Sequence, residues 1–377
     1  MRPRSFRLGL LSLGLAATTL MASTATPEQA SPDSTRQLTQ AAASGVGPVF
    51  SATDRLARQV AGALADPATR DRLVAAVTAG PVDLLTARLN ARTDRAAQSA
   101  NAAVLAAKGL PAATGSVLQL RLGHQDVAAE LARTERPLVA AASTDDAMTG
   151  VVAYEPAGAQ LLLDPVRLPE RPVLVVEVNV AKAMQRGLAQ VRQELTARRL
   201  TSVTSAVTTQ GGYWATKVNA IRLNNDQESW VKGSAEIFNI VGGTGLDGKA
   251  TVNIVEMPHL DNDGTVYYPN QLLVHFNNYK DNLADVVMGE DDGDTNYRDL
   301  ATALITALLT VVDYGTYTPL VTVIINAIIN AMPASWWTHD PDYVDSWYTL
   351  STGSSGRLNG AAANGWMDVA PYWVQQF

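Results

Sequence analysis

No cysteine occurs anywhere in the 377 residues. No disulfide can staple loops, no thiol can act as a nucleophile, and zinc ribbons and iron–sulfur clusters are excluded. The constraint matters because the N-terminus reads as an export signal. Arg2, Arg4 and Arg7 make a positive start, residues 8–21 are apolar and small, and Ser23-Thr24-Ala25 offers the small residues a signal peptidase reads. The apolar run is too short to span a hydrocarbon layer of about 30 Å comfortably. Residues 1–25 are therefore expected to be a cleaved signal peptide, with Thr26 the mature N-terminus and the protein secreted, extracellular or periplasmic. A secreted chain without disulfides needs a large core or bound metal ions. At 47% hydrophobic residues the chain has the material for an ordinary core.

Charge divides the chain. Residues 211–377 hold 19 acids against 7 bases, a net of −12, and all seven tryptophans. The rest holds 17 acids against 22 bases and is rich in Ala, Arg and Leu. The Ser/Thr run 201–212, ending in Gly211-Gly212, reads as the linker. An acidic second half argues against nucleic acid as a partner, since the phosphate backbone calls for a basic surface.

Before the linker we expect a helical region over 26–115 and a small α+β region over 116–200. Leu56, Val60 and Leu64 recur at helical spacing, and Asp66-Pro67 is a cap followed by a first-turn proline. Gly80-Pro81 breaks that helix, and 83–108 reads as helix again. From Val117 the period changes to two. Pro156-Ala157-Gly158 joins two short strands as a hairpin, 172–180 is a β-branched strand, and 181–200 returns to helix. No catalytic constellation stands out here, and His124 and Asp145-Asp146 read as surface or capping residues.

Residues 213–377 alternate in short strands separated by Gly, Asn and Asp turns, the pattern of an antiparallel β-sandwich. A helical hairpin over 297–332 is set into it. The run 297–312 carries Thr302, Thr306 and Thr310 as a polar stripe, and Thr318-Pro319 opens the second helix. Both are short for a bilayer span, so packed core is preferred to membrane insertion. The overall class is α+β: a helical N-terminal region with a small β part, then the sandwich.

Familiar motifs dissolve on inspection. Gly243-Thr244-Gly245-Leu246-Asp247-Gly248 has the spacing of a dinucleotide loop, but a strand follows where a helix is needed. Asp292-Gly293-Asp294-Thr295-Asn296 starts like an EF-hand and lacks its glycine and glutamate. Gly353-Ser354-Ser355-Gly356 is too short for a nucleophile elbow, and His259 and His275 lack the H-E-x-x-H partner. Three acid-rich segments remain: Asp226 and Glu228 with Glu236; Glu290, Asp291, Asp292 and Asp294; and Asp340, Asp342 and Asp345. Calcium takes six to eight oxygens from such loops. Asp226, Glu228, Glu236, Asp291, Asp292, Asp340 and Asp342 are the expected calcium ligands. The alternative is that these are solvated turns, since Asp and Asn are turn residues in any case.

Arg222-Leu223-Asn224-Asn225-Asp226-Gln227-Glu228-Ser229-Trp230-Val231-Lys232-Gly233-Ser234-Ala235-Glu236-Ile237-Phe238 is followed by Glu290-Asp291-Asp292 and by Asp340-Pro341-Asp342-Tyr343-Val344-Asp345. In that order these segments resemble a family of secreted bacterial proteins of unknown function, across the mature chain. Residues 213–350 are also distantly similar to calcium-binding C2-like sandwiches, which implies acidic loops gathered at one end. The resemblance brings no activity with it. The expected function is a secreted, non-enzymatic binding or surface-interaction protein with a calcium-stabilised sandwich, its partner a surface glycan or protein. The main rival is a secreted hydrolase using two carboxylates, directed at glycans if Trp336, Trp337 and Trp347 line a cleft. The other rival is a membrane-active protein using the helical hairpin.

Overall fold

Proline or a side-chain cap opens each of the first three helices. The structure, a computed structural model, describes residues 47–124, 128–131, 137–143, 148–201, 211–224, 230–232, 236–258, 260, 262–291, 293–311, 320, 322–326 and 343–375. Helix α1 (Pro48–Ala63) has proline in its first turn. Helix α2 (Pro67–Ala79) is capped by Asp66, which accepts from the Thr69 amide at 2.9 Å. Helix α3 (Ala91–Ala107) is shorter than the helix expected over 83–108. Asn90 caps it by accepting from the Arg92 and Thr93 amides, and Asp83 belongs instead to strand β1 (Val82–Asp83).

Strands β2 (Leu118–Leu122), β3 (Leu138–Ala141), β4 (Val151–Tyr154), β5 (Gln160–Leu163) and β6 (Val173–Val178) complete a six-stranded sheet with β1, in the order β1-β2-β6-β3-β4-β5. Only the β3–β6 pairing is parallel. A one-turn helix α4 (Ala128–Leu131) precedes β3. Strand β6 is buried along its whole length, which explains its run of valines. Leu174, Val176 and Val178 face the core shared with α1 and α3, while Val173 and Val175 pack on the other face with Val231.

After helix α5 (Val180–Ala197) come β7 (Gly212–Leu223), β8 (Ile237–Thr244), β9 (Ala250–Met257), β10 (Gln271–His275), β11 (Leu283–Glu290), helix α6 (Tyr297–Thr310), β12 (Tyr343–Ser351), β13 (Gly356–Asn359) and β14 (Gly365–Gln375). They make two four-stranded antiparallel sheets, β10-β7-β14-β13 and β12-β11-β8-β9. Val218, Ile221, Met367 and Val369 of the first share a core with Ile237, Val241, Val286 and Met288 of the second. This arrangement is compatible with the expected sandwich, and the fold class is α+β. The Gly243–Gly248 motif is a hairpin as expected from the strand that follows it, with Gly243 and Thr244 still paired in β8 and the turn running from Gly245 to Lys249.

Strand β11 is the element that the sequence pattern hides. It is paired on both sides, by β8 and β12. The second sheet is also covered on both faces, because Phe238, Ile240 and Val287 point into the cluster that holds α5, α6 and the N-terminal helices. That cluster crosses the expected linker, of which residues 202–210 lie outside the described residues, as do residues 1–25. Helix α6 buries Tyr297, Leu300, Ala301, Leu304 and Leu308. Thr302, Thr306 and Thr310 are exposed, their hydroxyls returned to carbonyls one turn back. Of the expected second helix, residues 322–326 are helical, Leu320 and Ile324 join the same core, and 312–319 and 327–342 lie outside the described residues. No helix among the described residues is long and apolar enough to cross a membrane.

The contact of α5 with α6 depends on one glycine. A Cβ at Gly187 would fall on the Tyr297 ring, so Gly187→Ala must displace a fully buried tyrosine. It should destabilise the protein by about 1–3 kcal/mol in urea unfolding, as overpacking does. Gly62→Ala in α1, where a Cβ meets nothing within 4 Å, should instead stabilise by roughly 0.5–1 kcal/mol.

Candidate functional site

Charged residues inside the paired strands β2 and β6 build the floor of a cleft. Alternation turns Leu118, Leu120 and Leu122 into the core and leaves Gln119 and Arg121 on the other face, where the register sets Gln119 opposite Glu177. The Glu177 carboxylate accepts from Gln119 Nε2 and from Arg121 Nε, both at 2.6 Å. The Arg121 guanidinium donates onward to the carbonyls of Gly123 and Val231 at 3.0 Å, and to that of Trp230 at 3.4 Å. Arg121 thereby ties the 230–232 segment to the first sheet. At the other end, Asn179 caps α5 through the Lys182 amide and donates to Gln119 Oε1 at 2.8 Å. Burial pushes the Glu177 carboxyl up, and Arg121 and then Gln119 pull against that shift.

Above this network lies a cleft of about 730 Å³, whose lining also includes His124, Trp230, Lys232, Glu236 and Asn262. The arrangement is a fixed array of donors and acceptors beside one aromatic ring, suited to a small polar ligand. Two carboxylates, Glu177 and Glu236, share the cleft.

The seven expected calcium ligands fare differently. Glu236 is buried and lines the cleft. Asp291 is buried beside it, its amide donating to the Glu236 carbonyl at 3.1 Å, but the cation at its carboxylate is a lysine: Lys108 Nζ lies 3.2 and 3.3 Å from its two oxygens. Gly293 N–H donates to Asp291 Oδ1 at 2.9 Å, and the Tyr297 hydroxyl donates to Oδ2. Asp226, Glu228, Asp292, Asp340 and Asp342 lie outside the described residues. Among the described residues no three His, Asp or Glu side chains gather as a metal site would require. Asp345, from the third acidic segment, accepts from the backbone amides of Ser346, Ala362, Asn364 and Gly365 at 2.8–3.0 Å. Trp347 belongs to the core and donates to the Leu358 carbonyl; Trp336 and Trp337 lie outside the described residues.

The first half, in which no constellation stood out, supplies most of this cleft. His124, expected at the surface, is half-buried in its lining. The available signal was Glu177, a charge interrupting the valine-rich strand β6. A family model described as Protein of unknown function (DUF3103) matches residues 54–377. The chain belongs to that family. Every residue of the cleft falls within the part of this DUF3103 chain that the family covers. No curated protein and no solved structure matches the chain.

Removing the cation under Glu177 should expose the cost of its burial. Arg121→Met should destabilise by about 3–5 kcal/mol at pH 8. A carboxyl whose folded pKa is raised contributes most when protonated, so its contribution is lost as pH climbs from the unfolded value through the folded one. The variant's deficit should therefore shrink between pH 8 and pH 5, as read by urea unfolding at each pH.

Proposed function

We propose that the protein is a secreted, non-enzymatic binding protein that takes a short glycan or similar polyhydroxylated ligand in the cleft between the first sheet and the 230–236 segment. The observation that carries this reading is the network from Asn179 through Gln119 and Glu177 to Arg121, which holds polar groups rigidly along a cleft of ligand size. Trp230 adds an apolar face on which a sugar ring can stack. Secretion rests on the charged, apolar, small-residue order of residues 1–25.

A carboxylate hydrolase is the second reading, favoured by Glu177 and Glu236 lining one cleft. It is the weaker one, because both Glu177 oxygens are already engaged by Gln119 and Arg121 and the carboxyl is poorly free to deliver a proton. Calcium at the acidic segments 225–229 and 335–342 is a separate proposal, and Asp291 drops out of it because Lys108 already neutralises that carboxylate.

Soluble oligosaccharides should raise the melting midpoint of protein recovered from culture medium with Thr26 at its N-terminus. A ligand at a hundredfold excess over Kd adds about 2.7 kcal/mol, a shift of several degrees. Lys232→Ala and Asn262→Ala should abolish the shift without lowering the unliganded midpoint by more than a degree or two. A full panel of neutral, acidic and amino-sugar oligomers that leaves the midpoint unmoved contradicts glycan binding. Release of shortened sugars, lost in Glu236→Gln, would establish the hydrolase instead.

A further inference from the structure

We infer that Lys108 and Asp291 condense to an isopeptide bond, an amide between Lys108 Nζ and Asp291 Cγ that links the end of α3 to the segment after β11. The two residues are 183 positions apart, and neither side chain has any solvent exposure. Nζ stands 3.2 and 3.3 Å from the two oxygens of the carboxyl it would attack, with no residue between them.

Both backbones are pinned. Tyr297 N–H donates to the Lys108 carbonyl at 3.1 Å, and Asp291 N–H donates to the Glu236 carbonyl at 3.1 Å. Gly109 has φ +64°, and a Cβ there would sit 2.8 Å from Arg298 Cβ, so only glycine lets the end of α3 come this close to the start of α6. The Tyr297 ring centroid lies 5.1 Å from Nζ, closing that side with an aromatic face.

The surroundings favour the chemistry. Neither side chain is exposed, so no water competes with the nitrogen for the carboxyl. Two donors already point at the carboxyl. Gly293 N–H, at 2.9 Å from Oδ1, stands where an oxyanion would develop, and the Tyr297 hydroxyl reaches Oδ2. Burial first, and the Asp291 charge second, push the Tyr297 phenol well up, so it stays protonated and able to donate.

The balance needs no co-reactant. Lys108 gives one proton to Asp291. The Nζ lone pair then attacks Cγ, and negative charge gathers on Oδ1 under Gly293 N–H. Nζ loses a further proton, relayed by the Tyr297 hydroxyl to Oδ2, and Oδ2 leaves as water. One C–N bond forms and one C–O bond breaks. Ammonium plus carboxylate become amide plus one water, with no change of oxidation state. Held pairs of this kind reach effective molarities of about 10⁵–10⁸ M, and a site closed to water disfavours the reverse hydrolysis.

Intact mass spectrometry of the denatured full chain tests the bond. The wild-type protein should be lighter by one water than the mass calculated from its own N-terminus. Lys108→Arg should have the full mass of its sequence. Trypsin should fail to cut after Lys108 and should release residues 96–121 joined to residues 281–298 as one branched peptide. Denatured mass does not require a folded variant, so the comparison stands even if Lys108→Arg folds poorly. A wild-type chain of full sequence mass that trypsin cleaves after Lys108 overturns the bond. So does a water loss that persists in Lys108→Arg, which would belong to a succinimide at Asp292-Gly293.

Discussion

Lys108 and Asp291 meet where water does not reach, and the two halves of the chain are built around that meeting. Each charge alone would cost several kcal/mol to bury, so neither position tolerates the absence of the other. Lys108 ends α3 in the N-terminal part, and Asp291 follows β11, the strand paired on both sides in the second sheet. Tyr297 completes the arrangement from the first turn of α6, and Gly187 of α5 makes room for its ring. One contact therefore sets four elements, and the core that runs from the N-terminal helices to the second sheet packs around them.

The same economy explains the acid excess of the second half. Calcium was the expected use for so many carboxylates. Among the described acids, Asp345 and Asp285, neither of them an expected calcium ligand, receive backbone N–H groups. Asp345 gathers four amides and organises the turn between β13 and β14. Asp285 accepts from the Leu320 amide at 2.6 Å and the Thr349 amide at 2.9 Å, holding the segment after α6 against the second sheet. In a chain without disulfides, such acids act as the cross-links of its loops.

Local signals in the sequence were read well, and long-range ones were not. Asp66-Pro67, Pro156-Ala157-Gly158 and the Gly243–Gly248 turn each act within a few residues, so their chemistry shows in the string. The helix expected over 83–108 starts only at Ala91 because Asn90, its cap, looks like any polar residue until its oxygen meets the Arg92 and Thr93 amides. Strand β11 escaped because burial on both faces erases alternation. The cleft escaped for a related reason. Arg121 and Glu177 are 56 positions apart and become neighbours only through the pairing of β2 with β6. Lys108 reads as an ordinary last-turn lysine, and nothing near it in the chain announces Asp291.

The cleft and the buried pair meet at Glu236, which lines the cleft and whose carbonyl accepts the Asp291 amide. On the other side of the cleft Arg121 holds the carbonyls of Trp230 and Val231. A binding site in this cleft thus rests on the same contact that joins the two halves. A double-mutant cycle on the pair tests that dependence most directly. Lys108→Met and Asp291→Leu should each cost about 3–5 kcal/mol in urea unfolding, because each strands a buried charge. The double variant should cost less than their sum by well over 1 kcal/mol, since it strands neither. Costs that add to within about 0.3–0.5 kcal/mol would show two independent sites and contradict the central role of the pair.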